Sequence, residues 1–351
     1  MSLKRTTHRD IAKVAGVTHV TVSLALRGHR SIPKITRDRI EAIAKDLGYR
    51  PDPALSALML YRRSAKPSSY QGTLAWINSH HHPEELQKAF ATYYLGARER
   101  CEELGYRLEE IRLADLGQRF DRLSKILRAR NIQGLLFPPQ EGGHRHITRA
   151  SFDWENFSAI AFGFSLMRPR LNLVTNAQFS STRLAVRKLR SLGYRRIGFL
   201  TEKFNERSDQ NFLAGFLVER ERVSPADDFP IHMIAKGSAL QEEQRFREWF
   251  SRHKPQAILS THWPALPWIR ALKEVKSGRC GFAMMDIADD GTEYSGINQN
   301  GQFIGRTAVD SLIAMIHSNE RGIPAVPRRI LIEGRWMNGS TAPRLTKPFR
   351  S

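Results

Sequence analysis

From Gln71 onward the sequence alternates short apolar segments with longer amphipathic ones, and the alternation begins again near residue 182. Segments such as Gly134–Phe137 and Ser158–Phe162 are almost wholly apolar, which is typical of strands buried on both faces of a parallel sheet. Neighbouring parallel strands need a crossover, usually a helix, so the pattern predicts an α/β fold with helices on both faces of the sheet. The restart predicts two lobes with a ligand cleft between them.

The elements predicted in this region are short and regularly spaced. Strands are expected at 73–78, 107–111, 134–137, 158–162, 196–200, 232–235, 257–260 and 280–285, and helices at 86–104, 119–130, 182–192, 211–221, 241–253 and 268–275.

Residues 1–50 predict a separate all-helical domain. Thr7 with Asp10 predicts a helix start, and Gly16 ends that helix. Thr18 begins a second helix that runs toward Gly28, and a third is expected from about residue 33 to 47. The apolar residues expected to face the core include Val14, Ile35 and Leu47. A helix, a glycine turn, a second helix and a packing helix indicate a helix-turn-helix, although a three-helix bundle that binds protein has the same pattern.

The charge distribution favours nucleic acid as the partner of this domain. The chain carries 55 Lys and Arg against 35 Asp and Glu, a formal net charge of +20. Residues 1–66 hold fourteen of the basic residues and five of the acidic ones, nearly half of the net charge in a fifth of the chain. A basic folded module indicates an anionic partner, of which DNA is the most common for a helix-turn-helix.

Other classes of protein are disfavoured. The two cysteines, Cys101 and Cys280, form no disulfide or metal-ligand pattern, and no apolar segment is long enough to span a bilayer, so we expect a cytoplasmic protein without membrane contact. His80 to His82 are consecutive in one predicted loop, which rarely closes a metal site, so neither a metal nor a cofactor is predicted. Phosphate-binding, dinucleotide-binding and nucleophile-elbow motifs are missing, so we predict that the chain is not an enzyme.

The N-terminal motif resembles the DNA-binding headpiece of the LacI/GalR family of bacterial transcription regulators. The resemblance rests on the run from Asp10 to Gly28, on Thr36-Arg37, and on Leu47-Gly-Tyr-Arg-Pro-Asp52. Leu192-Gly-Tyr-Arg-Arg-Ile-Gly198, Ala214-Gly-Phe216, Ile297-Asn-Gln299 and Gly339-Ser-Thr-Ala-Pro343 extend it to about residue 345. It implies a headpiece joined to a two-lobed core resembling periplasmic binding proteins, a homodimer, double-stranded operator DNA and a small-molecule effector, commonly a sugar.

The resemblance implies which residues contact DNA. In the helix-turn-helix these are Thr18, His19, Val20, Thr21, Ser23, Leu24, Arg27 and His29. The family often has arginine where Leu24 stands, and leucine cannot make the bidentate contact of arginine to guanine. The operator is therefore expected to differ from those of relatives that carry the arginine.

Residues 51–69 are expected to form the hinge. By resemblance this segment folds on the operator, with Ala54 at its start and Leu58 as an apolar wedge in the minor groove. Because an isolated helix of two turns is unstable in water, it needs DNA or its dimer mate to form. A linker that simply packs on the core remains the alternative.

Effector residues are expected beyond the carboxyl ends of the strands, where α/β folds bind ligands. The candidates are His80, His81, Ser208, His262, Trp263 and Asp286. Asp286 matches an aspartate that accepts hydrogen bonds from the effector, and Trp263 is a possible stacking surface for a sugar. Phe212 stands where many relatives have an effector-binding arginine, which implies an altered pocket.

The predicted division of the chain is a headpiece at 1–50, a hinge at 51–69, a core at 70–345 and a tail at 346–351. Within the core, one lobe is expected at about 70–173 and 297–323, and the other at about 174–296 and 324–345. The sequence thus predicts a transcription regulator, more specifically a repressor controlled by an effector. The alternative is an α/β enzyme that binds or modifies a sugar and carries an accessory DNA-binding module, and turnover of sugars would distinguish it.

Overall fold

The computed structural model describes residues 6–26, 32–49, 70–79, 83–139, 145–147, 152–202, 210–224, 227, 229–235, 237–287 and 293–345. The predicted site residues Arg27, His29, Ala54, Leu58, His80, His81 and Ser208 lie outside these residues, as does the predicted hinge. Among the described helices, none has the length and apolar character needed to cross a membrane.

The N-terminal domain contains α1 (His8–Ala15), α2 (His19–Leu26) and α3 (Lys34–Asp46). The Thr7 side chain accepts a hydrogen bond from the Asp10 amide, and the Asp10 carboxylate accepts one from the Thr7 amide at 2.8 Å. This reciprocal cap satisfies two amides that the first helical turn leaves without partners. Gly16 ends α1 with φ of 65°, a conformation that residues with a β-carbon rarely adopt.

One face of each helix forms the small core of this domain. Ile11, Val22 and Ile40 are fully buried there, one from each helix. The prediction that Val14 and Ile35 face the core is wrong, because Val14 is 61% exposed and Ile35 is 85% exposed. Ile35 lies in the first turn of α3, ahead of the face that packs against α1 and α2, and Leu47 at its end is only partly covered.

Replacing Thr7 with alanine is expected to destabilise α1 by about 1 kcal/mol, since it removes the side-chain cap. Amide hydrogen exchange in α1 would accelerate by roughly fivefold. Thr7→Ser keeps the hydroxyl and should exchange like the wild type. Equal protection in the alanine and serine variants would contradict a stabilising role for the cap.

The first lobe is built on a six-stranded parallel sheet. Its strands are β1 (Gly72–Asn78), β2 (Tyr106–Arg112), β3 (Gly134–Phe137), β5 (Ser158–Phe162), β7 (Asn172–Asn176) and β13 (Arg329–Ile332), in the spatial order β13-β7-β5-β3-β1-β2. Its helices are α4 (Pro83–Glu103), α5 (Phe120–Ala129) and α11 (Gly301–His317), and β4 (Arg145–His146) pairs with β6 (Leu166–Arg168) beside it. Leu135 and Leu136 point to opposite faces, and both are fully buried in separate clusters, as expected for a sheet covered on both sides.

The second lobe repeats this plan. Its strands are β8 (Ile197–Glu202), β9 (Ile231–Ile234), β10 (Ala257–Ser260), β11 (Gly281–Met284), β12 (Ser295–Asn298) and β14 (Arg335–Met337), in the order β14-β12-β11-β10-β8-β9. Only β14 among them is antiparallel to its neighbour. Its helices are α6 (Gln178–Ser191), α7 (Asn211–Arg220), α8 (Ala239–His253), α9 (Leu266–Ala271) and α10 (Lys273–Lys276).

The chain passes between the lobes three times, and the structure corrects the predicted lobe limits. Residues 174–176 continue β7 of the first sheet, and residues 329–332 form β13, which pairs with β7. The passages therefore follow Asn176, Asn298 and Ile332 instead of residues 173, 296 and 323. Glu333, in the third passage, is hydrogen-bonded to residues that follow the other two. Its carboxylate accepts from the Ser180 hydroxyl at 2.8 Å, and its backbone carbonyl accepts from the side-chain amide of Asn300 at 2.7 Å.

Two glycines allow α4 and α11 to approach closely in the first lobe. A β-carbon on Gly305 would lie 2.1 Å from the carbonyl oxygen of Tyr93, and one on Gly96 would lie 2.0 Å from that of Gln302. These distances are far below van der Waals contact. Side chains with a β-carbon would force the two helices apart.

Candidate DNA-binding and effector sites

The predicted DNA-contacting face of α2 is the face that the domain core leaves uncovered. Val22 and Ala25 are fully buried and attach α2 to the other two helices. Thr18, His19 and Val20 are exposed, with 53% of Val20 accessible, while Thr21, Ser23 and Leu24 are half-buried. An exposed apolar side chain beside an imidazole at the start of a helix can contact base edges and thymine methyl groups.

The start of α2 is held by the side chain of Thr18. Its hydroxyl accepts a hydrogen bond from the Thr21 amide at 3.1 Å and lies 2.9 Å from the Thr21 hydroxyl. This first turn has no acidic residue, so nothing in it opposes the partial positive charge of the helix start. The N-terminal half of α2 is thus suited to an anionic ligand.

In the core, Asp286 lies just beyond the carboxyl end of β11. Part of the Asp286 residue is accessible to solvent. Protein atoms nevertheless surround its carboxyl closely, and the resulting loss of hydration raises the pKa of the carboxyl to about 7. No described residue donates a hydrogen bond to the carboxylate. A carboxylate without a partner at the edge of a cleft, with a strongly raised pKa, is a typical binding group for a ligand.

The backbone around Asp286 is fixed by two polar side chains. The indole N–H of Trp263 donates to the backbone carbonyl of Asp286 at 2.8 Å, and the side-chain amide of Gln299 donates to the backbone carbonyl of Met285 at 2.6 Å. The Trp263 ring packs edge-on against Tyr294 with ring centroids 5.4 Å apart. Because its N–H and one edge are engaged in this way, Trp263 is better placed to position Asp286 than to stack freely on a sugar.

Tyr93 of α4 faces Asp286 from the first lobe. It is buried, and burial together with the nearby negative charge of Asp286 raises the pKa of its phenol. Its ring packs on Phe162 at the end of β5, with centroids 5.6 Å apart. The two lobes therefore bring a phenol and a carboxyl toward the same space.

His262 occupies a separate position beyond β10. Its Nδ1 pairs with the carboxylate of Glu202 at the end of β8, and the two line an open pocket of about 440 Å³ with Ile234 and Trp268. The structure thus places His262 and Asp286 beyond the carboxyl ends of neighbouring strands, but in different surroundings. Among the described residues, no group of three His, Cys, Asp or Glu side chains is arranged to hold a metal ion.

The strand-end rule includes Glu202, which ends β8, among the residues near the cleft, but it does not single this carboxylate out as an effector contact. Tyr93 and Gln299 are not predicted as site residues. Tyr93 lies within a long helix, and nothing in its spacing distinguishes it from a core tyrosine. Gln299 acts through its contact with a backbone carbonyl, which is visible only in three dimensions.

Comparisons with known proteins identify this architecture. Residues 7–52 match the family model described as "Bacterial regulatory proteins, lacI family". The N-terminal domain of the chain is therefore a lacI-type DNA-binding domain. The lactose operon repressor of Escherichia coli (strain K12) is 25% identical over 328 residues, which span 89% of this chain and 85% of that protein. Together these matches show a LacI-type DNA-binding transcriptional regulator.

Solved structures share the fold of the whole chain. A complex of the transcriptional regulator CelR with cellobiose has a TM-score of 0.55 and 19% identity, covering 95% of this chain and 99% of that one. A lac repressor dimer bound to operator and the anti-inducer ONPF also has a TM-score of 0.55 and 19% identity, covering 97% and 100%. A lacI-family regulator from Enterococcus faecium with bound ribose reaches 0.56 at 13% identity, covering 78% and 100%.

Proposed function

We propose that this lacI-family regulator is a cytoplasmic homodimer that represses transcription from a near-palindromic operator. Two copies of α2 would lie in successive major grooves, with His19 and Val20 toward the base edges. The hinge at 51–69 would fold on the DNA, with Ala54 at its start and Leu58 entering the minor groove. Arg27 and His29 complete the proposed contacts in the turn that follows α2.

We further propose that a carbohydrate binds between the lobes and controls operator affinity. The observation that carries this proposal is the unpartnered carboxyl of Asp286, because ionised carboxylates accept strong hydrogen bonds from hydroxyl groups. Tyr93 is the facing group on the first lobe. Cellobiose and ribose in structures of the same fold support a polyhydroxyl ligand. We also propose His80, His81 and Ser208 as effector contacts at the rim, and His262 as a contact from the neighbouring pocket that it lines with Glu202.

Coupling would act through the three passages between the lobes. A ligand that binds both lobes favours one angle between them. The passages joined by Glu333 would transmit this change of angle to the first lobe, and the first lobe would transmit it to the headpiece. Linkage requires only that the effector bind the DNA-competent and DNA-free states unequally, so both induction and corepression obey it.

A thermal-shift screen of the full-length protein against mono- and disaccharides tests the effector. A ligand that binds only the native state raises its melting temperature, and a concentration of about 100 times Kd stabilises it by about 2.7 kcal/mol. We expect one carbohydrate to do so and to change operator affinity. A panel that contains no stabilising carbohydrate, or turnover of any of them, would refute this part of the proposal.

Replacing Val20 with alanine is expected to weaken operator binding by about tenfold, because apolar contact with thymine methyl groups contributes to base recognition. Val14→Ala is the matched control, since it removes the same atoms from an exposed valine on α1. Affinities are compared by titration of labelled duplex carrying the operator selected from a random library. Equal affinities of the two variants would show that Val20 does not contact the bases.

A further inference from the structure

A second pocket opens at the opposite edge of the second lobe, where its strands begin. Arg196, Gln256 and Cys280 immediately precede β8, β10 and β11, and the pocket lies between them, the carboxyl end of α8 and the segment joining α9 to α10. Its volume is about 570 Å³. Since a strand rises about 3.3 Å per residue, the length of β8 separates this pocket from the cleft by roughly 20 Å.

The walls of this pocket are strongly cationic. Among the described residues, the pocket is lined by one carboxylate, that of Glu274, and by five basic side chains: Arg196, Arg247, Lys254, Lys273 and Arg279. Arg247 is paired with Glu243 at 2.6 Å. The other four cations have no carboxylate of a described residue within 4 Å. Like charges converging on one concave surface repel each other unless an anion lies between them.

Arg196 carries a donor that the protein itself does not satisfy. Its Nε is buried and has no hydrogen-bond partner among the described residues. The backbone that presents it is fixed, because the Gln256 side-chain oxygen accepts from the amides of Arg195 and Arg196 at 2.8 and 3.1 Å. An unsatisfied buried N–H costs stability, and an anion beside the guanidinium of Arg196 would stabilise the positive charge of the group to which this donor belongs.

Lys254 stands where glycine or asparagine is the usual residue. It ends α8 in the left-handed region, with φ of 45°. A lysine there places a further ammonium on the pocket wall.

We propose that this pocket binds a small phosphate compound of at least two negative charges, such as a diphosphate, as a second ligand of the regulator. Guanidinium groups match phosphate oxygens in pairs, and Arg196 and Arg279 supply two of them. A concave pocket of this volume fits a small molecule, whereas the surface of duplex DNA is convex. The proposal does not depend on the nature of the ligand in the cleft.

Isothermal titration of the full-length protein with inorganic pyrophosphate at about 0.15 M salt, where screening is substantial, tests the site. We expect binding by the wild type and at least a tenfold loss of affinity in Arg196→Gln/Lys273→Gln. The control Arg195→Gln/Lys276→Gln removes the same charge from exposed neighbours outside the pocket, and its affinity should stay within twofold of the wild type.

A second pair, Lys273→Gln/Arg279→Gln, serves if substitution of Arg196 prevents folding, and circular dichroism checks each variant. Absence of pyrophosphate binding at millimolar concentration would overturn the proposal, as would equal losses in pocket and control variants. Binding to random-sequence duplex is measured in parallel. If the pocket variant loses affinity for duplex but the wild type ignores pyrophosphate, the cations serve DNA and the proposal is wrong.

Discussion

Replacing Gly305 with alanine is expected to destabilise the first lobe by about 3 kcal/mol. The new β-carbon would lie 2.1 Å from the Tyr93 carbonyl oxygen, so α4 and α11 must separate and lose packing between them. The sign of the change in unfolding free energy is informative, because replacing glycine with alanine at an open helix position stabilises a protein by about 1 kcal/mol. Urea unfolding followed by circular dichroism measures the change.

Thr307→Ala on the same helix is the matched control. Its side chain donates only to the Phe303 carbonyl one turn earlier, so its removal should leave stability nearly unchanged or slightly raised. Gly96→Ala should resemble Gly305→Ala, since its β-carbon would lie 2.0 Å from the Gln302 carbonyl oxygen. An unfolding midpoint for Gly305→Ala at or above that of Thr307→Ala would show that the helices do not touch as described.

Replacing Asp286 with asparagine is expected to lower the affinity for the carbohydrate identified in the thermal screen by about a hundredfold. Hydrogen bonds to an ionised carboxylate contribute roughly 1.5–3 kcal/mol each, and two of them account for the loss. Asparagine keeps the size of the side chain, so packing around it is preserved. Calorimetric titration at pH 8 measures the affinity, and operator binding without effector should stay near wild type.

The pH dependence separates this role from a purely structural one. Because the pKa of Asp286 is about 7, binding that needs the ionised carboxyl strengthens as the pH rises from about 6 to 8 and then levels off. Without effector the sign is opposite: the raised pKa means that the native state loses stability as the pH rises from about 4 to 7. Asp286→Asn removes both dependences, and parallel pH profiles in wild type and variant would contradict the assignment.

The strands that the sequence predicts best are those buried on both faces. The predicted limits of β3, β5 and β10 agree with the structure to the residue, since each is a short apolar segment between turns. β7, β12 and β13 were not predicted as strands. β13 is an exposed edge strand that begins at Arg329, directly after Arg328, and β7 and β12 carry polar ends that interrupt the apolar pattern.

Long-range pairing explains the remaining differences. Residues 329–332 form a strand by pairing with β7, which lies more than 150 positions earlier in the sequence. No local periodicity encodes such a distant partner. The single helix predicted at 268–275 is divided because Leu272 adopts an extended conformation with ψ of 134°. At the site, the rule of strand ends predicts Asp286, but its interaction with Tyr93 joins two lobes, and no local pattern in the sequence encodes it.

The three passages also have a consequence for synthesis on the ribosome. The first lobe acquires α11 and β13 only after residues 178–298, which form all but the last strand of the second lobe, have been made, since these two elements span residues 301–332. At about 5–20 residues per second, translation of the segment between β7 and α11 takes roughly 6–25 s. During that interval the face of α4 that α11 will cover and the outer edge of β7 lack their partners. The nascent chain therefore exposes apolar surface and an unpaired strand edge for seconds, a state that is prone to aggregation and to recognition by chaperones.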